Sequence, residues 1–141
     1  MRLACWTLTF AALTGCAEKD ADAPMTSEVF AAIAPEETVH FTGTEPFWGG
    51  EVASGTLRFS TPDDIDGRTF PVERFAGNNG LSFAGTLEGK TFDLMVTPGR
   101  CSDGMSDRDY PLVATLKIGG DGVRSGCAWT DRMPFTGEAM P

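Results

Sequence analysis

The chain has 141 residues, of which 20 are acidic and 11 basic, and its net charge is −9. This length predicts one domain, and a hydrophobic content of 41% is ordinary for a globular protein. The acidic balance argues against nucleic acid as a partner, because phosphate binding needs clustered lysine and arginine. It also argues against attachment to anionic lipid by charge.

The N-terminus has the pattern of an export signal. Arg2 is followed by an apolar run from Leu3 to Ala12, which is shorter than the roughly 20 residues of a membrane-spanning helix. The run leads into Leu13-Thr14-Gly15-Cys16, which resembles the lipobox of bacterial lipoproteins. That resemblance implies cleavage before Cys16 and acylation of its thiol, and several acyl chains on one cysteine make a durable anchor. A plain secretory signal with a coincidental cysteine is the alternative.

These features divide the start of the chain into a signal peptide, residues 1–15, and a lipidated Cys16 with a flexible tether, residues 16–37. The tether is rich in alanine, aspartate, glutamate and proline, a composition typical of linkers. A helical turn from Ser27 to Ile33 is the alternative for its second half. Ala17 stands where inner-membrane lipoproteins often carry aspartate, so the resemblance favours the outer membrane, with the protein facing the periplasm.

Residues 38–141 are predicted to form a single β domain, because short β-branched and aromatic runs alternate with Gly, Asp, Asn and Pro. Turns are expected at Ala53–Gly55, Gly77–Gly80, Leu87–Gly89 and Gly119–Gly122. The predicted strands are Thr38–Thr42, Phe47–Ala53, Thr56–Ser60, Thr69–Ala76, Leu81–Thr86, Thr91–Thr97, Leu112–Ile118 and Val123–Trp129. About eight short strands favour an antiparallel meander, closed into a small barrel or a compact sandwich.

Two cysteines remain once Cys5 leaves with the signal peptide and Cys16 is acylated. An even pair in an exported chain predicts a disulfide between Cys101 and Cys127. A zinc site would lack ligands, because His40 is the only histidine and the chain has no CxxC motif. We therefore predict no cofactor.

The most distinctive segment runs from Cys101 to Pro111. It contains three aspartates, a methionine and the chain's only tyrosine: Asp103, Met105, Asp107, Asp109 and Tyr110. The first hypothesis is a structured loop held by its own side chains, since Asp and Ser bind backbone amides in turns. The second is a surface for a partner or ligand. The third is a calcium site built from the three aspartates, although their spacing is not that of an EF-hand.

A second distinctive segment, Gly43-Thr44-Glu45-Pro46-Phe47-Trp48, follows the first predicted strand. Side chains alternate along a strand, so Phe47 and Trp48 are expected to point to opposite sides. Glu45 is interpreted as a turn residue, with a functional carboxylate as the alternative.

Together these segments resemble a family of small uncharacterised bacterial envelope lipoproteins. Its members carry a Gly-Thr-Glu-Pro-Phe-Trp block, a Cys-x-Asp-Gly-Met-Ser-Asp-x-x-Tyr-Pro block and a Gly-Cys-Ala block, matched here by Gly43–Trp48, Cys101–Pro111 and Gly126–Ala128. The resemblance spans roughly Thr42 to Trp129 and implies no activity. It does imply the Cys101–Cys127 pairing, and related chains are joined to envelope modules of the lysozyme-inhibitor or heat-shock lipoprotein type.

The leading functional hypothesis is a non-catalytic binding module held at the membrane by its lipid. The partner would be an envelope protein, such as a cationic enzyme of the lysozyme type, or a small ligand. Its predicted surface consists of Glu45, Trp48, Asp103, Met105, Asp107 and Tyr110. The alternatives are a calcium-stabilised envelope scaffold and a hydrolase that pairs Glu45 with Asp103 or Asp107.

Overall fold

The computed structural model describes residues 29–138, which form eight antiparallel strands and no helix. Each strand pairs with the next, and β8 pairs with β1, so the sheet is a closed barrel. The predicted all-β meander is confirmed, in its barrel form. The strands are β1 (Val39–Gly43), β2 (Trp48–Ala53), β3 (Thr56–Thr61), β4 (Asp64–Ala76), β5 (Leu81–Leu87), β6 (Lys90–Ser102), β7 (Asp109–Ile118) and β8 (Arg124–Thr130).

Two of the predicted turns are two-residue hairpin connections. Ser54 and Gly55 have φ angles of 51° and 75°, and Glu88 and Gly89 have φ angles of 51° and 80°. Positive φ at both central residues gives the turn a twist that matches the twist of the flanking strands. These connections therefore join β2 to β3 and β5 to β6 without splaying them.

The core occupies the inside of the barrel. On β7 every second side chain points inward, and Leu112, Ala114 and Leu116 are at most 1% exposed. Phe92 lies fully buried between Phe59 and Phe70, with edge-on ring contacts at centroid distances of 5.3 and 5.0 Å. Side chains thus fill the barrel, and a partner would meet its ends or its outer wall.

The up-and-down topology assigns every connection to one of two ends. Residues 44–47, 62–63, 88–89 and 119–123, which follow β1, β3, β5 and β7, form one end, here called the far end. The connections after β2, β4 and β6 form the other. The segment that leads into β1 and the tail that follows β8 also lie at this second end, here called the entry end.

The segment before β1 packs onto the barrel. Ile33 is 1% exposed and belongs to the core, and the N–H of Phe30 donates to the Gly77 carbonyl at 2.7 Å. The Arg74 guanidinium donates to the Ile33 carbonyl at 2.8 Å. The flexible tether predicted for residues 16–37 therefore needs correction at its end, because Phe30 and Ile33 supply apolar surface that covers the core. Residues 29–33 do not form the alternative helical turn.

The predicted signal peptide, Cys16 and the first part of the tether lie outside the described residues. Within residues 29–138 the structure contains no helix that is long and apolar enough to cross a membrane.

Candidate functional site

Phe47 and Trp48 point to opposite sides at the start of β2, as predicted. Trp48 is 3% exposed and its ring centroid lies 6.0 Å from that of Phe41, whereas Phe47 is 51% exposed. Trp48 was predicted to belong to a binding surface, and this needs correction. It occupies an inward-facing position of the barrel, so Phe47 is the aromatic side chain of this segment that a partner would meet.

Two glycines make room for the Trp48 indole. Gly43 is its register partner on β1, and a Cβ there would collide with the ring. Gly126 is the partner of Gly43 on β8, and a Cβ there would lie 2.9 Å from Cζ2 of Trp48. The indole Nε1 is buried without a hydrogen-bond partner among the described residues. Trp48 thus closes the inside of the barrel near its far end.

The connection between β1 and β2 exposes a carboxylate and a phenyl ring. Glu45 is exposed and has a φ of 61°, a left-handed conformation that costs a non-glycine residue about 1 kcal/mol. An open depression of about 230 Å³ lies at this end of the barrel, lined by Thr42, Phe47, Trp48, Gly49, Ser60, Thr61 and Pro62. Asp63 follows Pro62 directly, so two acidic residues flank the segments that line this depression.

Asp103 organises the connection between β6 and β7. Its carboxylate accepts hydrogen bonds from the Ser106 hydroxyl at 2.7 Å and from the N–H groups of Ser106 and Met105 at 2.8 and 2.9 Å. The Tyr110 hydroxyl donates to it at 3.3 Å. These bonds, the one from the Ser106 hydroxyl above all, lower the pKa of Asp103 to about 2. This supports the hypothesis of a loop held by its own side chains.

Tyr110 is 3% exposed and is not part of a binding surface, contrary to prediction. Its ring lies 5.3 Å from Trp129 and 5.4 Å from Phe135, and the Arg108 guanidinium stands 4.2 Å from the Phe135 centroid. The tail after β8 supplies Phe135, and the pairing of Thr136 with Asp109 holds that tail in place. Of the predicted surface residues in this loop, Met105 and Asp107 are exposed.

The predicted disulfide is present. The Cys101 and Cys127 sulfurs are 2.00 Å apart and their Cα atoms 5.5 Å apart. Cys101 lies near the end of β6 and Cys127 on β8, with β7 between those strands in the sheet. The β6–β7 register has an irregularity between Pro98 and Cys101, just before the bonded cysteine. The bond therefore ties the β6–β7 connection to the barrel wall.

Of the three aspartates proposed as calcium ligands, Asp103 and Asp109 have separate structural roles and Asp107 is exposed. Asp103 caps its own loop, and Asp109 accepts two hydrogen bonds from the Arg100 guanidinium at 3.0 and 2.7 Å, which lower its pKa. In the part of the chain that the structure describes, no three His, Cys, Asp or Glu side chains group closely enough to hold a metal ion. The calcium hypothesis therefore receives no support from the geometry.

The two distinctive segments lie at opposite ends of the barrel. β1 and β7 are both antiparallel to β8 and flank it, so they run in the same direction. Glu45 follows the end of β1, whereas Asp103 and Asp107 precede the start of β7. The structure does not bring together the carboxylate pair of the hydrolase hypothesis, nor one composite binding surface.

The sequence predicted Trp48 as the exposed aromatic residue of the segment after β1, whereas the structure exposes Phe47. Strand alternation separates Phe47 from Trp48, and it places Trp48 on the same side of β2 as Val52, which is 4% exposed. The spacing to Val52 is therefore the sequence signal that identifies Trp48 as the buried residue. Comparison of the chain with protein-family models, with curated proteins and with solved structures gave no match. The resemblance to an envelope lipoprotein family stays a prediction.

Proposed function

We propose that this chain is a lipid-anchored bacterial envelope protein that acts as a non-catalytic binding module. Cys16 would carry the lipid, on an outer membrane facing the periplasm, and the far end of the barrel would carry the binding surface. The position of the segment before β1 supports placing the anchor and the binding surface at opposite ends. Ile33 and Phe30 pack at the entry end, so a chain anchored before Val29 points its far end away from the anchor.

The far end offers a partner both apolar and acidic groups. Phe47 is 51% exposed beside the depression that reaches Pro62, and Ile65 and Val123, at the same end, are 80% and 67% exposed. Glu45 and Asp63, which are close in sequence to the lining residues Phe47 and Pro62, add two exposed acidic residues at the same end. An exposed phenyl ring near carboxylates suits a basic side chain, which gains from both the π face and the negative charge. A partner protein with an exposed lysine or arginine, or a small cationic ligand, fits this chemistry.

The anchor is tested by mass spectrometry of the mature protein from membranes. The expected product begins at Cys16 and carries acyl chains, and Cys16→Ser yields a chain without lipid. A mature chain that retains residues 1–15, or begins elsewhere without lipid, contradicts the anchor.

Binding is tested with Phe47→Ser and its matched control Phe75→Ser, since both phenylalanines are exposed, by 51% and 67%, at different places. Partners are identified by cross-linking in intact envelopes and then measured as purified proteins. Phe47→Ser is expected to weaken binding about tenfold, whereas Phe75→Ser leaves it unchanged. Equal effects of the two substitutions, or none of either, contradict the far-end site.

A further inference from the structure

The outer wall of the barrel carries an uncharged band near the entry end. Phe75 on β4, Ser82 on β5, Met95 on β6 and Thr115 on β7 are successive register partners across the sheet. Phe75 is 67% exposed and Met95 is 49% exposed. Two large apolar side chains thus stand on solvent-facing positions of the same row.

The neighbouring row, closer to the far end, has the opposite character. Its register partners are Glu73, Ala84, Asp93 and Lys117. Three of these four are charged, as expected for the outer wall of a protein with a net charge of −9. The outer wall of β4 to β7 thus has a charged row and, next to it, an uncharged row; closer to the entry end, Arg100 on β6 and Asp109 on β7 form an exposed ion pair.

An open apolar groove of about 240 Å³ adjoins the uncharged row. Phe75, Leu81 and Met95 line it together with Gly77, Gly80 and Thr97, and none of its lining residues is charged. The groove borders the connection between β4 and β5, which is the connection that holds the entry segment through the Phe30 to Gly77 hydrogen bond. Val29, at the start of the described chain, is itself 60% exposed.

The length of chain between the anchor and the groove limits what can cover it. Residues 17–28 connect Cys16 to Val29. Fully extended, a segment of this length reaches at most about 45 Å. A lipid on Cys16 therefore keeps the groove within a few tens of ångströms of the bilayer.

We propose that the uncharged outer wall around Phe75 and Met95 rests on the lipid surface to which the protein is anchored. This inference rests on the lipid anchor of the proposed function. Tethering raises the effective concentration of the surface to the millimolar range, so a weak apolar contact is enough to orient the domain. The neutral lining suits this contact, because insertion of charged groups among acyl chains is unfavourable, and the far end is left free.

The test uses the mature lipidated protein in phosphatidylcholine vesicles, with a polarity-sensitive fluorophore on Met95→Cys or, as the matched control, on Phe47→Cys. Both positions are exposed, by 49% and 51%. The fluorescence emission of the label at position 95 is expected to shift to shorter wavelength and to be quenched by nitroxide-labelled lipid. The emission of the label at position 47 is expected to do neither. Phe75→Ser, added to the Met95-labelled chain, is expected to reduce the fraction of molecules whose label contacts lipid by about fivefold to tenfold.

Three results overturn the inference. One is equal quenching at both positions, and another is quenching at Met95 that Phe75→Ser does not reduce. The third is a blue shift of the Met95 label that appears without vesicles and increases with protein concentration. That result would show that the outer wall around Phe75 and Met95 contacts a second copy of this chain. If the protein carries no lipid, the proposed lipidation of Cys16 is wrong, but the proposed lipid contact of the outer wall can still be tested. The same labelled chains are then attached to nickel-chelating lipid by an N-terminal histidine tag, and the fluorescence of both labels is measured again.

Discussion

The indole of Trp48 packs against the backbone of Gly43, its register partner on β1, at a position where any side chain would meet the ring. Gly126 completes the space from the other side. A large aromatic side chain therefore fits near the end of a narrow barrel because two of its neighbours have no side chains. The fit joins residues that are far apart in the chain, since Gly126 on β8 lies 78 positions after Trp48 and 83 after Gly43.

Gly43→Ala is expected to destabilise the fold by about 1–3 kcal/mol, because the added methyl group overpacks the site of the Trp48 ring. Chemical unfolding with the disulfide intact measures this change. Gly120→Ala is the matched control: a Cβ there meets nothing within 4 Å, so its free energy of unfolding should stay within about 0.5 kcal/mol of the unsubstituted protein. Equal stabilities of the two variants would contradict the packing argument.

Removing the disulfide with the double substitution Cys101→Ala and Cys127→Ala is expected to lower the free energy of unfolding by roughly 3.5 kcal/mol. The two cysteines are 26 positions apart, and the bond restricts the unfolded chain by closing that loop. Thermal unfolding of the variant and of the parent protein, each with and without reductant, provides the comparison. Reductant should lower the melting temperature of the parent protein only.

Asp103 is expected to make stability depend on pH in the acid range. The pKa of Asp103 in the folded protein is about 2, below its ordinary value of 3.8, so its stabilising effect is complete above about pH 4 and is lost as the pH falls toward 2. Asp103→Asn is expected to cost about 1.5 kcal/mol at pH 7, because hydrogen bonds to a charged acceptor are lost.

The difference in the free energy of unfolding between the parent protein and Asp103→Asn should become smaller as the pH falls from 4 to 2. Urea denaturation at intervals from pH 7 to pH 2.5 measures it. Asp107→Asn serves as the control, because Asp107 is exposed in the same loop and its substitution should change stability little at any of these pH values. A difference that is constant with pH would show that the Asp103 carboxylate has no such role.

Ile33→Ala is expected to destabilise the barrel by about 2–4 kcal/mol. Ile33 is 1% exposed, so the shorter side chain leaves a cavity in the core. Val29→Ala, at a position that is 60% exposed, should have little effect. Chemical unfolding of both variants distinguishes a packed entry segment from a free tether. If both variants were as stable as the parent, the contact of Ile33 with the core would have no energetic weight.

Local sequence pattern was sufficient for the strands whose side chains alternate. Leu57 and Phe59 on β3, and Phe92, Leu94 and Val96 on β6, are all buried as their alternation predicts. The pattern was insufficient where strands continue without apolar alternation. β4 begins at Asp64 and β6 ends at Ser102, beyond the predicted limits, because backbone pairing with a neighbouring strand extends them through polar residues.

The candidate site was harder to predict because it depends on contacts between distant parts of the chain. Tyr110 is covered by Trp129 on β8 and by Phe135 in the tail that follows β8, and no local pattern indicates that cover. Glu45 and Asp103 lie at opposite ends of the barrel because of the strand topology. Both segments are rich in turn residues, and that composition does not indicate at which end of the barrel a segment lies. Strand order has to be known before the loops can be assigned to one surface.

The pairing of β1 with β8 also fixes when the barrel can be completed. Residues 39–43 find their second partners only at residues 126–130, so the sheet stays open until nearly the whole chain is present. Contacts this far apart in sequence slow folding, and until then β1 has an unpaired edge that other chains could join. In the export proposed for this chain, which begins at the N-terminus, β1 reaches the far side of the membrane before β8 does. Closure of the barrel would then follow translocation of residues 126–130.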